Sequence, residues 1–396
     1  MSAAALRVGL VGVGSRAYIG RLVGDHSDAR LVVAADPRPA AAERARELFG
    51  ADIAFTTDYR TLADTGLDAA IVTVPDDAHA DVAEFLLRSG IAVYLEKPLA
   101  TTMAAADRIL TAAFESGSKL YVGHNMRHMS VVRMLRDIIG RGEIGEVKAI
   151  WCRHFVGNGG DYYFKDWHAE RSRVNSLLLQ KGAHDIDVIH WLAGAYTTEV
   201  TAMGDLMVYG DVDSRRDNSD RLLDDWFSHD NWPPQAQTDL NPVIDVEDIS
   251  LVHMRLANGV LASYEQCHFT PDYWRNYTVI GTRGRAENFG DSAGGVIRVW
   301  NRRHEYQLEG DIEYTIDGDV EGHGGADELT MGEFIRFVRS GGATDTSPVA
   351  ARQAVATGIM AAESLRDGST PRVIPPVPDE VLRYFDDHQT PQSAPR

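Results

Sequence analysis

The stretch "VGLVGVGSRA", Val8 to Ala17, puts a glycine-rich turn directly after an apolar run and before a stretch of helical spacing. In Gly12-x-Gly14-x-x-Ala17 each small residue has a task. The first glycine permits a tight turn, the second lets the backbone approach a pyrophosphate, and the small third residue lets helix and strand pack closely. Ser15 and Arg16 complete the turn. The helix expected after it would offer free N–H groups and a positive dipole end to phosphates. Asp36 ends the next apolar run about 20 residues on, where an acid can bind a ribose 2′-hydroxyl. Together these residues predict a dinucleotide site. Asp36 favours NAD, because a carboxylate repels the 2′-phosphate of NADP, while Arg38 beside it could accommodate that phosphate and moderates the preference.

Outward from this turn, strand-like runs alternate with amphipathic ones. "LRVGLVGVG", "LVVAADP", "AAIVTVP", "AVYLEKP" and "KLYVGH" read as strands, and "PAAAERARELFG" and "AHADVAEFLLRSG" as helices ending in glycine. Such alternation predicts a doubly wound parallel sheet, a Rossmann-type domain over residues 1–125. After Arg127 the runs lengthen and follow one another: "EVKAIWCRHFV", "TEVTAMGDLMVYG", "DISLVHMRLANGVLASYEQCHF", "NYTVIGTRGRAENF" and "GVIRVWNRR". Asn258-Gly259 signals a two-residue hairpin. Residues 126–396 are therefore expected to form an α+β domain with a large, mostly antiparallel, open-faced sheet, a helix from 177 to 194 on one face, and two helices near the end. Residues 211–246 match no element. Their tryptophans and prolines argue for an ordered flap or an oligomer contact. The polar tail "DDHQTPQSAPR" is expected to fray.

Composition narrows the partners. The 396 residues suit two domains, and the formal charge of −19 opposes nucleic acid and anionic membranes. Cys152 and Cys267 show no metal-type spacing and fit reduced thiols of a cytoplasmic protein. The N-terminal apolar run lacks a basic leader, and no window approaches the ~20 apolar residues that span a bilayer.

Further along, the chain resembles the Gfo/Idh/MocA oxidoreductases, the family of glucose–fructose oxidoreductase and inositol dehydrogenase. "YLEKPLATT", with Glu96-Lys97-Pro98, is similar to its EKP signature. "TVPDDAHADVA" sets Thr73, Pro75 and His79 on its "TPN…H" positions. "GHNMRHM" parallels its arginine-bearing segment at Arg127, "GEIGEVKAI" the start of its second domain, and "AHDIDVIHWLAG" its "HxxDxxxWL" helix. The resemblance covers essentially the whole chain. It implies hydride transfer between NAD and a secondary alcohol of a sugar, glycoside or cyclitol, with Lys97 and His184 catalytic. Gly12, Gly14, Ser15, Arg16, Ala17, Asp36, Thr73, Pro75, His79, Glu96 and Lys97 fall on the cofactor side. Arg127, Trp167, Gln180 and Lys181 fall on the substrate side. The resemblance also implies a homo-dimer or tetramer formed through the open sheet.

The chemistry is coherent. An imidazole accepts the hydroxyl proton near neutral pH, and a lysine cation steadies the developing negative charge. In "LLLQKGAHDIDVIHWLAG", Leu177–Gly194, a helix beginning near Gln180 would align residues 180, 184, 187 and 191 on one stripe. Ile186, Ile189 and Ala193 would form the buried face, and Asp187 would fix the His184 tautomer. His190 reads as a core histidine. Gln180 stands where the family often has aspartate, so Lys181 is a candidate for proton handling or substrate binding.

Two readings stay open. One is the dehydrogenase; the other is a redox-neutral, NAD-dependent glycosidase that oxidises, eliminates and re-reduces. Arg127, Arg153, His154, Lys165, Trp167, His168, Arg171 and Arg173 would suit an anionic substrate, such as an acidic or sulfonated sugar, if they share a pocket, and nothing if they are scattered. Three decoys fall away or stay minor. "GDSAGG" around Ser292 precedes a strand, unlike a hydrolase elbow. His184, Asp187 and His190 are poorly spaced for a metal, and none is expected. His323 could deliver a polar group from its glycine-rich loop, but a helix cap by Asp327 explains that loop nearly as well.

Overall fold

The computed structural model describes residues 4–318 and 324–390. His323 and the last six residues of the tail lie outside the described residues. The chain forms two compact units, Met1–Asn125 with Asp327–Arg352 and Pro376–Arg396, and Met126–Ala326 with Gln353–Pro375. A single cut at 125/126 assigns all of the C-terminal half to the second domain; here two C-terminal segments group with the first.

The first unit is built on β1 (Leu6–Val11), β2 (Ala29–Ala35), β3 (Ala54–Thr56), β4 (Ala69–Val72), β5 (Ala92–Leu95) and β6 (Leu120–Val122). They pair in parallel in the order β3-β2-β1-β4-β5-β6. In that order the sheet switches direction between β1 and β4, and the crevice beyond the carboxyl ends of these strands is where such sheets bind ligands. β4 and β5 are buried along their whole length, as strands covered on both faces are. The helices are α1 (Ala41–Phe49), α2 (His79–Arg88) and α3 (Met103–Ser116). Thr102 caps α3 by accepting the Ala105 N–H at 3.2 Å, and Gly117 ends it at φ 69°. Neither α3 nor β3 was among the expected elements. The segment after the glycine turn, expected as an α-helix, is a 3₁₀ helix over Ser15–Asp25.

The second unit opens with α4 (Ser130–Gly140), β7 (Val147–Phe155) and four helices: α5 (Gly159–Tyr163), α6 (Arg171–Val174), α7 (Leu177–Gln180) and α8 (Gly182–Ala193). Next come β8 (Thr197–Asp205), β9 (Ile249–Leu256), β10 (Leu261–Cys267), β11 (Trp274–Gly281), β12 (Arg285–Phe289), β13 (Val296–Trp300) and β14 (Ile312–Thr315). β15 (Arg372–Val373) completes a nine-stranded sheet, β14-β13-β12-β11-β7-β10-β9-β8-β15. Only the β7–β10 pair is parallel. β9 alternates buried and exposed residues, so one face is packed and the other is open. α8 lies on the packed face; a Cβ on Gly182 would sit 3.0 Å from the Tyr264 ring.

The β9–β10 hairpin is present with a longer loop than expected. The Gly259 N–H donates to Leu256 at 2.9 Å and only Gly259, at φ 84°, is left-handed, which is a three-residue loop rather than a two-residue one. Ser292 lies in the loop joining the antiparallel strands β12 and β13. Residues 211–246 are ordered: the buried Trp226 donates its indole N–H to the Asp161 carbonyl at 2.9 Å, and Val212, Leu240 and Val246 share a core with Phe164 and Leu177.

The chain then forms α9 (Ala326–Ser340), α10 (Pro348–Arg366) and α11 (Asp379–Asp386). Met331, Phe334, Ile335 and Phe337 of α9 join Val8, Leu10, Tyr94 and Tyr121 in the core of the first unit. This shared apolar burial is why α9 belongs there.

Candidate active site

At the carboxyl edge of the first sheet, Gly12 adopts φ 99° and a Cβ there would lie 2.7 Å from the Thr73 carbonyl, so only glycine fits. Thr73 fixes the turn by donating its hydroxyl to the Gly12 carbonyl at 2.8 Å. Above Gly14 there is open space, the room a phosphate group needs. Asp36 accepts the Val13 N–H at 2.9 Å and is clasped by the Arg38 guanidinium at 2.9 Å through both of its oxygens. Burial alone would raise its pKa, but Arg38 and the two backbone N–H groups override that and hold the carboxyl below the usual range. An ionised acid at the end of β2 and an uncluttered glycine turn fit NAD.

Other residues expected on the cofactor side have protein partners. Arg16 reaches Glu96 at 2.6 Å and Asp327 at 3.1 Å. Asp327 is not the helix cap: it lies within α9 and also accepts from Tyr18 at 2.8 Å and Asn125 at 2.7 Å. Glu96 takes the Lys97 N–H at 3.1 Å as well. The His79 ring nitrogens lie 2.7 Å from the Pro98 carbonyl and 3.0 Å from that of Val74, tying together the loops that carry Lys97 and Pro75. Lys97 itself follows β5 and is half-buried.

In the second unit the helix expected from Gln180 breaks at Lys181. Ser176 caps the short α7 through the Leu179 N–H at 3.1 Å, and α8 starts anew at Gly182. The stripe therefore runs from His184 to Trp191 without Gln180. Every residue from Gly182 to His190 is buried, which rules out a solvated face; Ala193, expected in the buried set, is only half-buried. Both oxygens of Asp187 accept from Arg127, at 2.6 Å each, a bidentate buried pair the sequence did not announce. His190 accepts and shares hydrogen bonds with Thr197 at 2.7 and 3.2 Å, and burial pushes its pKa down to about 4. It is a core histidine, as expected.

Asp185, which sequence reasoning passed over, anchors α8 to the sheet. Its Oδ2 meets His154 Nδ1 at 2.9 Å, and its Oδ1 lies 3.1 Å from Arg275 Nε and accepts the Tyr277 hydroxyl at 2.5 Å. All four residues are buried. Burial, reinforced by Arg275, pushes His154 down to about 3 despite its aspartate. Partners 31 and 92 residues away leave no local signal.

The basic cluster resolves into pairs. Besides Arg127–Asp187 and His154–Asp185, Lys165 meets Asp161 at 3.0 Å, His168 meets Asp166 at 2.6 Å and Arg171 meets Glu247 at 3.3 Å. Arg153 lies exposed on β7. Trp167 stacks on His168 with ring centres 3.8 Å apart and carries Arg173 over its face. Five of the seven basic side chains in this set are thus paired with a carboxylate.

A parallel sheet in this order with a glycine turn at its edge defines a dinucleotide-binding oxidoreductase scaffold. Residues 6–124 match the oxidoreductase family with the NAD-binding Rossmann fold, and residues 132–287 match the GFO/IDH/MocA C-terminal domain. The chain belongs to the GFO/IDH/MocA family. It is 26% identical over 303 residues to the putative oxidoreductase YteT of Bacillus subtilis, covering 67% of this chain and 71% of that one. It is 30% identical over 218 residues to inositol 2-dehydrogenase of Rhizobium meliloti, covering 53% of this chain and 63% of the relative, under two thirds of its length. Among solved structures, levoglucosan dehydrogenase in complex with NADH and levoglucosan superposes with a TM-score of 0.74 at 19% identity, over 94% of this chain and 100% of that one. At that identity the likeness speaks to the fold. No helix among the described residues is long and apolar enough to cross a membrane.

Proposed function

We propose that this chain is an NAD-dependent dehydrogenase that transfers a hydride between nicotinamide and a secondary alcohol carbon of a sugar, glycoside or cyclitol. One observation carries the reading: His184 is a buried imidazole in the first turn of a helix locked to its sheet, in a chain whose other unit has the NAD-binding fold. The inositol 2-dehydrogenase among its relatives supports the substrate class.

Bound NAD supplies the hydride acceptor. Gly12 and Gly14 give its pyrophosphate a close approach, Asp36 takes the adenosine ribose, and Ser15, Arg16, Ala17, Thr73, Pro75, His79 and Glu96 shape the surrounding loops. His184 takes the hydroxyl proton on a ring nitrogen as the C–H bond breaks, and returns it in the reverse direction. The Lys97 ammonium steadies the oxygen as negative charge develops. Gln180, Lys181 and Trp167 contact the substrate, and Arg127 serves it through Asp187 by holding α8 in place.

The test is an absorbance assay for NADH with myo-inositol, levoglucosan, free sugars and aryl glycosides. Net NADH from an alcohol is expected. Release of the aglycone without net NADH overturns the reading in favour of redox-neutral glycoside cleavage.

We also propose that the open sheet face joins two copies of the chain. Trp151 and Leu261 are exposed there beside Arg153, Arg255 and Glu265, a mixture that a two-fold contact can satisfy against itself. Light scattering should give a dimer or tetramer, and Trp151→Glu should shift it toward monomer. The two free thiols suit a reducing, cytoplasmic compartment.

A further inference from the structure

Three loops at the carboxyl edge of the first sheet meet at one side chain that arrives from far along the chain. Arg16 follows β1 in the 3₁₀ helix, Glu96 follows β5 and Asn125 follows β6. Asp327 comes from the first turn of α9, 311 residues after Arg16. Its Oδ2 accepts the Tyr18 hydroxyl at 2.8 Å and Arg16 Nη1 at 3.1 Å. Its Oδ1 accepts Asn125 Nδ2 at 2.7 Å and Arg16 Nη2 at 3.2 Å. These donors fill the roughly four lone-pair sites a carboxylate offers. Arg16 passes the contact on to one Glu96 oxygen, through Nε at 3.0 Å and Nη2 at 2.6 Å, and the other oxygen takes the Lys97 N–H at 3.1 Å.

Asp327, Glu96 and Asn125 are buried, whereas Arg16 keeps its outer edge in water. The helix that carries Asp327 is itself anchored. Its Phe334 packs against Tyr94 of β5 and Tyr121 of β6, with ring centres 5.5 and 5.8 Å apart. The near half of the glycine turn has local support, because Thr73 holds Gly12 and Asp36 holds Val13. The far half, past the open space at Gly14, is held by Glu96 and Asp327. Charge does not explain this arrangement. Two carboxylates around one guanidinium leave the cluster net negative, which opposes a pyrophosphate. What the cluster offers is preorganisation: loops fixed beforehand need not be ordered by the ligand.

We infer that Asp327 is a positioning residue of the nucleotide site. It seats Arg16, Tyr18 and Asn125 so that the loops after β1, β5 and β6 stand in one arrangement before NAD arrives. Affinity for the nucleotide is thus set in part by a helix encoded near the other end of the chain. The loop that carries Lys97 is held by the same node, since the Lys97 N–H ends the series of contacts. The inference concerns nucleotide affinity and stands apart from the question of which alcohol is oxidised.

The experiment records NADH affinity by fluorescence, KM for NAD and for the alcohol, and Tm. It compares wild type with Asp327→Asn, Arg16→Met, the double variant and Glu333→Gln. Asp327→Asn keeps the shape and removes the charge. It should weaken NADH binding by about tenfold and raise KM for NAD in step, with KM for the alcohol within about twofold. Arg16→Met should reproduce most of that loss. The double variant should lose no more than the poorer single one, because both act through one contact. Glu333→Gln is the control: Glu333, also on α9, accepts the Tyr121 hydroxyl at 2.8 Å. Its loss should lower Tm and leave NADH affinity within about twofold. Unchanged NADH binding in Asp327→Asn overturns the inference, and so does tighter binding, which would mean that the carboxylate only repels the pyrophosphate. An equal loss in Glu333→Gln assigns the effect to the attachment of α9 in general and overturns it too. If Asp327→Asn does not fold, Arg16→Met decides by the same criterion, and wild-type NADH affinity there sinks the idea.

Discussion

The edge of the first sheet and the first turn of α8 both gather charged groups, and they hold them differently. At the sheet edge, Asp36 is buried but its partner Arg38 is 52% exposed, and Arg16 is 29% exposed between Glu96 and Asp327. Water screens such pairs and they can re-form around a ligand at small cost. Around α8, Asp185, His154 and Arg275 are 0–4% exposed, and Asp187 meets Arg127 in equal seclusion. Buried charges of this kind cannot swap partners for water. The difference suits the two tasks: a large charged cofactor comes and goes at one site, while the other must keep one imidazole in one place.

The strongest test of that division is chemical. Lys97→Ala and His184→Ala should each lower kcat by roughly 10²–10⁴-fold, as loss of a positioned acid–base or charge-stabilising group does, with NADH affinity nearly unchanged. Wild-type turnover in either variant would remove that residue from the mechanism. Asp185→Ala probes rigidity. It removes the fully buried acid shared by His154, Arg275 and Tyr277, leaving Arg275 only the Asp291 carboxylate at 3.3 Å among the described residues. The change should cost about 3–5 kcal/mol in urea unfolding, more than Arg38→Ala, whose guanidinium is 52% exposed. Equal costs would erase the contrast drawn above.

Gly12→Ala sharpens the other side. Its Cβ would press on the Thr73 carbonyl in a left-handed backbone, so a loss of about 1–3 kcal/mol is expected, with weaker NADH binding. A pH series separates the regions further. His154 and His190 titrate at about 3 and about 4 when folded, below the roughly 6.5 of an unfolded histidine. The unfolded chain therefore binds protons first, and stability should be intact above about pH 6.5 and fall toward pH 4. His190→Asn should make that fall shallower; an unchanged slope would place the sensitivity elsewhere. The smallest effect is expected from Arg38→Ala, with NADH affinity within about threefold and NADPH binding weakened, since only a half-exposed screened charge is lost.

Much of this was legible in the sequence where the signal is local. The glycine turn, Asp36, five of the first sheet's strands and the density of titratable groups in 177–194 are all short-range patterns. The 3₁₀ helix was not, because Ser15–Asp25 carries the same apolar residues an α-helix would. α3 could have been found from its Thr102 cap and Gly117. The break at Lys181 could have been suspected from Gly182. β3 and β15 are too short to show a period. Asp185 was passed over because its partners come from distant strands. The pairing of Arg127 with Asp187 was hidden for the same reason.

The return of α9 to the first unit has a consequence for biosynthesis. Its Met331, Phe334, Ile335 and Phe337 cover an apolar surface that includes Val8, Leu10, Tyr94 and Tyr121, all translated more than 200 positions earlier. Until the ribosome has passed residue 340, the nascent amino-terminal sheet is uncovered on that side and open to aggregation. A truncated amino-terminal half should therefore need a chaperone or a solubilising fusion, although its nucleotide loop is complete.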